Sequence, residues 1–231
     1  MTKEMWAIFI AFSLLLSIGI GWATGQLEIT APGGGEFDLR QNVMKYHGQD
    51  SQQVNVRWND SALETNELQG KEQNKGTRKV IPRLLRAFEL TANLNQNYIV
   101  ASKEVSLLYD ESTTATCNLL EWDRQTAFMR LSGQVMIVYK DWTIKGIRIE
   151  GQLDKELFTV FGPLEASNKL NTIRGGKLIF NRRMERLIVE DNPLLIRGNN
   201  EMAASKIVYS INTNQVEASG MVKTRIIDET K

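Results

Sequence analysis

The sequence has almost no cysteine or histidine, the side chains on which zinc sites and most nucleophile–base pairs are built. Its 231 residues include one cysteine, Cys117, and one histidine, His47. A lone cysteine excludes an internal disulfide, and the two scarcities together exclude Cys/His zinc sites and most nucleophile–histidine triads. Neither sign of charge is in excess: the formal net charge is +1, so nothing demands a polyanionic partner such as nucleic acid. The motifs G-x-S-x-G, H-E-x-x-H and C-x-x-C are absent. Arg174-Gly175-Gly176-Lys177 lacks the spacing and final hydroxyl of a phosphate-binding loop. Asp and Glu are scattered through turns, where they solvate and cap. No enzyme activity and no cofactor are implied. What is present suits a folded protein: 42% hydrophobic and 24% charged residues.

The first 27 residues set the compartment. Residues 5–27 carry no charge, and Trp6 and Trp22 bracket the 18-residue run WAIFIAFSLLLSIGIGWA. A helix rising about 1.5 Å per residue crosses a bilayer core of roughly 30 Å in about 20 apolar residues. Trp6, Phe9, Phe12, Leu15, Ile18 and Trp22 are the anchor residues on this reading, with tryptophans at the headgroup levels. A cleaved signal peptide is the alternative, because small residues stand before Thr24. The apolar run is long for a signal core, and Lys3 is offset by Glu4. Either way the remainder is expected on the far side of a membrane.

A Gly/Pro tether, 28–35, precedes an expected folded domain at 36–231. Its first part reads as a strand, a turn and a strand. A polar insert is expected near 59–90, with a short helical turn over 84–90. Arg78, Lys79, Arg83 and Arg86 form a basic run that suits a solvated loop or, less simply, lipid phosphates. The Asn59-Asp60-Ser61 sequon has no supporting feature. From residue 98 to 227, Val, Ile, Thr, Phe and Tyr dominate, and only Pro163 and Pro193 interrupt. Frequent polar breaks predict short antiparallel strands, an all-β architecture. Cys117 reads as a small buried apolar residue and His47 as an exposed turn neighbour.

The breaks recur. Asp123, Asp154, Arg182 and Asn212 are 31, 28 and 30 residues apart, and Gly133, Gly162, Asn192 and Gly220 are 29, 30 and 28 apart. A fixed period near 30 predicts stacked strand–turn–strand units over one continuous core, each strand ending at the second set of positions. Alternation places Ile147, Ile149, Phe158, Val160, Leu178, Phe180, Leu187, Val189, Ile207, Tyr209 and Val216 on one face. That face is either plain core or the lining of a groove for acyl chains. The last unit, ending near Lys223 and Arg225, offers an edge for β-augmentation unless those cations block it.

The segment from Ala204 to Val222, A-x-K-I-x-Y-x-x-x-T-N-x-V-x-x-x-G-x-V, resembles the repeat of OstA-like domains. Residues 131–151 are similar to the same pattern. These domains occur in the periplasmic proteins of lipopolysaccharide transport, LptA and LptC, and at the N-terminus of LptD. The resemblance covers roughly 98–227, with 36–58 as a divergent first unit, and has no counterpart for the 59–90 insert. It implies an open β-jellyroll whose apolar interior holds lipopolysaccharide acyl chains and whose edge strands join another periplasmic jellyroll. With an uncleaved helix it implies an LptC-like, single-pass inner-membrane protein of a diderm bacterium, beside the ABC transporter complex. With a cleaved signal it implies a soluble LptA-like bridge. A membrane-anchored scaffold or adhesion module with a solid core is the reading from another class.

Overall fold

The computed structural model describes residues 25–60 and 84–226. The segment expected to anchor the chain, including Trp6, Phe9, Phe12, Leu15, Ile18 and Trp22, lies outside them, as does 61–83. Among the described residues, no helix is long and apolar enough to cross a membrane.

Strands account for nearly everything described. The first six are β1 (Gly25–Thr30), β2 (Gly35–Asp38), β3 (Val43–His47), β4 (Val54–Asp60), β5 (Leu84–Ala87) and β6 (Glu89–Asn93). Six long ones follow: β7 (Tyr98–Asp110), β8 (Thr113–Asp123), β9 (Phe128–Tyr139), β10 (Trp142–Gln152), β11 (Leu157–Ser167) and β12 (Asn171–Asn181). The chain ends in shorter ones: β13 (Arg186–Glu190), β14 (Leu194–Arg197), β15 (Asn200–Ala203), β16 (Lys206–Ser210), β17 (Gln215–Ser219) and β18 (Lys223–Arg225). All their pairings are antiparallel, and they link into one 18-stranded sheet. The helical turn expected over 84–90 is instead β5 and the start of β6. Leu85, Ala87 and Leu90 are buried there, so burial on a pleat overrides local helix propensity. The polar insert is correspondingly narrower than 59–90, since strands occupy both of its ends.

The sheet is folded over on itself. Each long strand is creased at its middle, where the register shifts: between Ser102 and Val105, Thr116 and Leu119, Gly146 and Arg148, and Phe161 and Leu164. One half of each strand belongs to a first layer, which runs from β2–β3–β6 through β7–β12 to β13–β16–β17. The other half belongs to a second layer, from β1–β4–β5 to β14–β15–β18. The crease carries left-handed residues: Lys103 (φ 65°), Glu104 (56°), Gly133 (75°), Gln134 (50°) and Gly162 (96°). Such bulges bend a strand sharply, which a flat pleat cannot do. At Gly162 a Cβ would lie 2.6 Å from the Ile147 side chain, so glycine is required on both counts.

The 30-residue period is therefore real, but its two markers mean different things. Asp123, Asp154, Arg182 and Asn212 all stand at or beside hairpin turns of the first layer. Gly133 and Gly162 do not end strands; β9 and β11 run on through them into the second layer. At Asp191–Asn192 and Gly220 the crease breaks the strand outright, giving β13/β14 and β17/β18, as it does at Phe88 between β5 and β6 and at Ala204–Ser205 between β15 and β16. Successive turns of the first layer are laced by backbone bonds at the same period: Arg124 N–H to Asn97 O (2.9 Å), Leu153 to Ala127 (2.9 Å), Arg182 to Glu156 (3.0 Å) and Ile211 to Glu185 (2.8 Å).

Candidate functional site

The site is the space between the two layers. It is lined from both sides by alternate residues, the ordinary result of a pleated strand with one face toward a core. Of the predicted inward residues, Ile149, Phe158, Val160, Leu178, Phe180, Leu187, Val189, Ile207 and Tyr209 are buried in one continuous cluster. Val216, on β17 opposite Tyr209, is half-buried at the end of the stack.

Ile147 is the exception: it is 57% exposed. Alternation had put it on the face of Ile149, two residues on. The crease intervenes. In β10 the inward positions step from Ile144 to Ile149, and the extra residue turns Ile147 outward over Gly162.

The lining also contains residues that the sequence reading passed over, chiefly from β7 to β10: Leu107, Tyr109, Leu120, Trp122, Met129, Leu131, Ile137, Tyr139, Trp142 and Ile144. Their signal was the same alternation, strong in β8 and β9 but interrupted at Asn118 and Gly133, where the strand bends.

The interior tapers. Beside the crease the residues are small or aliphatic: Ala101, Val105, Cys117, Val135 and Val160. Burial pushes the Cys117 thiol up to about 12, which leaves it an inert apolar filler. Away from the crease, rings from the two layers meet: Trp58 with Trp122 (5.1 Å between centroids), Tyr109 with Phe158 (6.0 Å), Tyr139 with Phe180 (5.0 Å) and Trp142 with Tyr209 (4.9 Å). Phe158 and Phe180 stack at 6.0 Å within the first layer. Gly151, at an inward position, makes room for the Phe158 ring, which would lie 2.7 Å from a Cβ there.

The groove expected to be open is shut. A slot of about 20 Å³ remains between the layers, bordered by Leu107, Tyr109, Met129, Ile137, Phe158 and Phe180. That is room for about one water-sized sphere.

Opposite the crease, the turns of the two layers face each other across a mouth. No strand pairing bridges it among the described residues; side chains do. Arg182, between β12 and β13, is paired with Asp110 at the end of β7 and lies 3.5 Å from Glu156. Its guanidinium sits over the Tyr109 ring at 5.1 Å and the Tyr139 ring at 5.9 Å. Glu185, on the same turn, accepts from Lys140 Nζ at 2.5 Å and from the Tyr139 hydroxyl at 3.1 Å. Further along, Asn171 Nδ2 donates to the Tyr209 hydroxyl at 3.0 Å.

The charges are held ionised. Burial works to raise the Asp110 carboxyl, but the Ser112 N–H and hydroxyl and the Arg182 charge together hold it below the usual carboxylate range. The Lys140 bond lowers Glu185, and Glu185 raises Lys140 in return. Burial raises the Tyr109 phenol.

The basic run does not form a described site. Arg78, Lys79 and Arg83 lie outside the described residues, and Arg86 is exposed on β5, bonded to Asn55 Oδ1 at 3.0 Å. His47 is exposed at the end of β3. Among the described residues, no group of three or more His, Cys, Asp or Glu is placed to hold a metal ion.

Both ends of the stack leave strand edges unpaired in each layer among the described residues. These are β1 and β2 at one end, and β17 and β18 at the other.

No family model matches this chain, and no curated protein matches it. Among solved structures it is similar to LptH of Pseudomonas aeruginosa, titled as the LptA-homologous periplasmic component of the conserved lipopolysaccharide transport device. The two are 18% identical, with a TM-score of 0.48, over 50% of this chain and 95% of that one.

Proposed function

We propose that this protein carries the acyl part of lipopolysaccharide between its two layers as one member of a periplasmic bridge. The observation that carries the reading is the shape of the interior. Among the described residues it is apolar along the stack, closed by backbone on one side only, and flanked by free strand edges at both ends. The physics is partition: each acyl CH₂ withdrawn from water gains roughly 0.8 kcal/mol. A sheltering interior removes the penalty of crossing an aqueous space. The OstA-like repeat in the sequence points the same way. The apolar run at 5–27 fits an uncleaved inner-membrane anchor beside an ABC transporter, the LptC-like arrangement; cleavage near Thr24 would fit the soluble LptA-like one. Free edges at β17 and β18 suit docking of the next jellyroll. The protein acts by sheltering and handing on, and no catalytic role is proposed.

A photoreactive residue at Phe158 or Ile149 tests this. Adducts with lipopolysaccharide are expected there and not at the outward neighbour Thr159. Labelling confined to Thr159 would overturn the reading. The N-terminus of the mature protein in the membrane fraction separates the two arrangements.

The filled interior favours a second reading, a membrane-tethered scaffold whose repeats serve only assembly. It is the outcome if no inward position labels.

A further inference from the structure

A closed interior and a lipid cargo are compatible only if the layers part. At the crease they are one set of strands, so parting there would break the backbone ladders of β7 to β12. At the mouth, among the described residues, they are held by bonds that side chains make and by no strand pairing. Three of the described contacts sit on a single tight turn. Arg182 reaches Asp110, and Glu185 reaches Lys140 and the Tyr139 hydroxyl; the turn itself is closed by Glu185 N–H donating to Arg182 O at 3.2 Å. The turn lies over the slot: Phe180, one residue before β12 ends, borders it, and Tyr109, beneath the guanidinium, borders it from the other layer.

We infer that the turn of residues 182–185 is the lateral gate of the carrier, with Arg182 and Glu185 as its two fastenings. The inference rests on the carrier reading above. The chemistry of the fastening also says what releases it. The Arg182 side chain is only 16% exposed, yet its Nε–H has no hydrogen-bond partner. A guanidinium with a spare buried donor, held by carboxylates, is poised to exchange them for a phosphate, which accepts two parallel N–H bonds. An amphiphile bearing a phosphate beside its acyl chains thus opens the gate with its head and fills the slot with its tails. Met184, 61% exposed at the tip of the same turn, presents an apolar surface to the arriving chains.

The test uses the full chain with Cys117→Ser and a pyrene-labelled phosphatidic acid offered in detergent micelles. Lys140→Cys with Glu185→Cys, joined by a short bismaleimide, fastens the mouth. Uptake is expected to fall at least tenfold on cross-linking, and cross-linking after uptake is expected to trap the probe. Glu185→Gln is expected to speed uptake several-fold. Pyrene-labelled diacylglycerol, which lacks the phosphate, is expected to enter the parent protein more slowly than phosphatidic acid, and Arg182→Ala to erase that difference. Melting curves for each variant check folding, and Arg182→Gln, which keeps a polar side chain without the charge, replaces Arg182→Ala if the latter does not fold. Unchanged uptake by the cross-linked protein, with the parent loading normally, overturns the gate and leaves the carrier standing. No uptake by the parent or by any unfastened variant overturns both.

Discussion

Replacing Phe180 by alanine tests whether the interior is as full in solution as the structure shows. Phe180 is fully buried. Its ring lies 5.0 Å from Tyr139 of the other layer and 6.0 Å from Phe158 beside it, and Leu187 is its neighbour on β13. Truncation removes about 100 Å² of buried apolar surface, worth about 2.5 kcal/mol at 25 cal/mol per Å². It also leaves a void of roughly 100 Å³, worth about 2.4 kcal/mol at 24 cal/mol per Å³ if nothing collapses. Partial collapse lowers the sum to about 3–5 kcal/mol, the usual cost of Phe→Ala in a solid core. With a urea m-value of about 2 kcal/mol/M, the unfolding midpoint falls by roughly 2 M. Circular dichroism through a urea titration reads it directly. A loss below about 1 kcal/mol would refute the reasoning, because a ring facing an open, wetted groove has little packing to lose.

Three other outcomes follow from the same geometry. Gly162→Ala should cost about 1–3 kcal/mol in thermal or urea unfolding, since it places a Cβ at φ 96° and 2.6 Å from Ile147; adding Ile147→Ala should recover part of that, the clash but not the backbone strain. Tyr209→Phe should cost about 1–3 kcal/mol by the same measurement, because buried Asn171 loses the hydroxyl that it donates to at 3.0 Å, while Tyr209 also loses its own bond to Asn214 (2.9 Å). Glu185→Gln should cost under about 1 kcal/mol at pH 7, the pair being partly exposed. Glu185 is held below its ordinary range, so its contribution is complete above the unfolded carboxylate value and disappears as pH falls through the folded one; the difference in urea midpoint between parent and variant should therefore shrink as pH is lowered below the ordinary carboxylate range. A difference that does not shrink at all as pH is lowered through and below that range would mean that the charge is not what Glu185 contributes.

The period, the all-β character and most of the inward residues were legible because alternation and turn chemistry are local. Phe158 and Val160, or Leu187 and Val189, announce a buried face by themselves. Ile147 was misread for the same reason: alternation assumes an unbroken pleat, and the crease in β10 inserts a residue. The left-handed positions that make the crease were mostly not glycine. Lys103, Glu104 and Gln134 carry no sequence mark of a bend, so Gly133 and Gly162 looked like strand ends. Leu84 to Leu90 read as a turn of helix because the segment breaks at Phe88 and two of its β-partners, β3 and β4, lie on the far side of residues 61–83. The mouth was illegible. Asp110 and Arg182 are 72 residues apart, and only the folding of one layer onto the other brings them together. Four of the rings that meet across the layers, Trp122, Tyr139, Trp142 and Tyr109, lie in strands whose breaks hid their alternation.

Because the fold is paced by one 30-residue interval, its length is a free variable. Duplicating 133–162 in frame would add two creased strands, and so two strands to each layer, with every neighbouring contact repeated rather than rebuilt. Growth by whole intervals needs no new topology, only another copy of two bends and two turns. The weak points then always sit at the extremities, where short strands such as β17 and β18 have a neighbour on one flank alone. A chain built this way would exchange its amide hydrogens fastest at those extremities and slowest in β9 to β11. It could also be lengthened to span a wider gap without altering the cross-section of its interior.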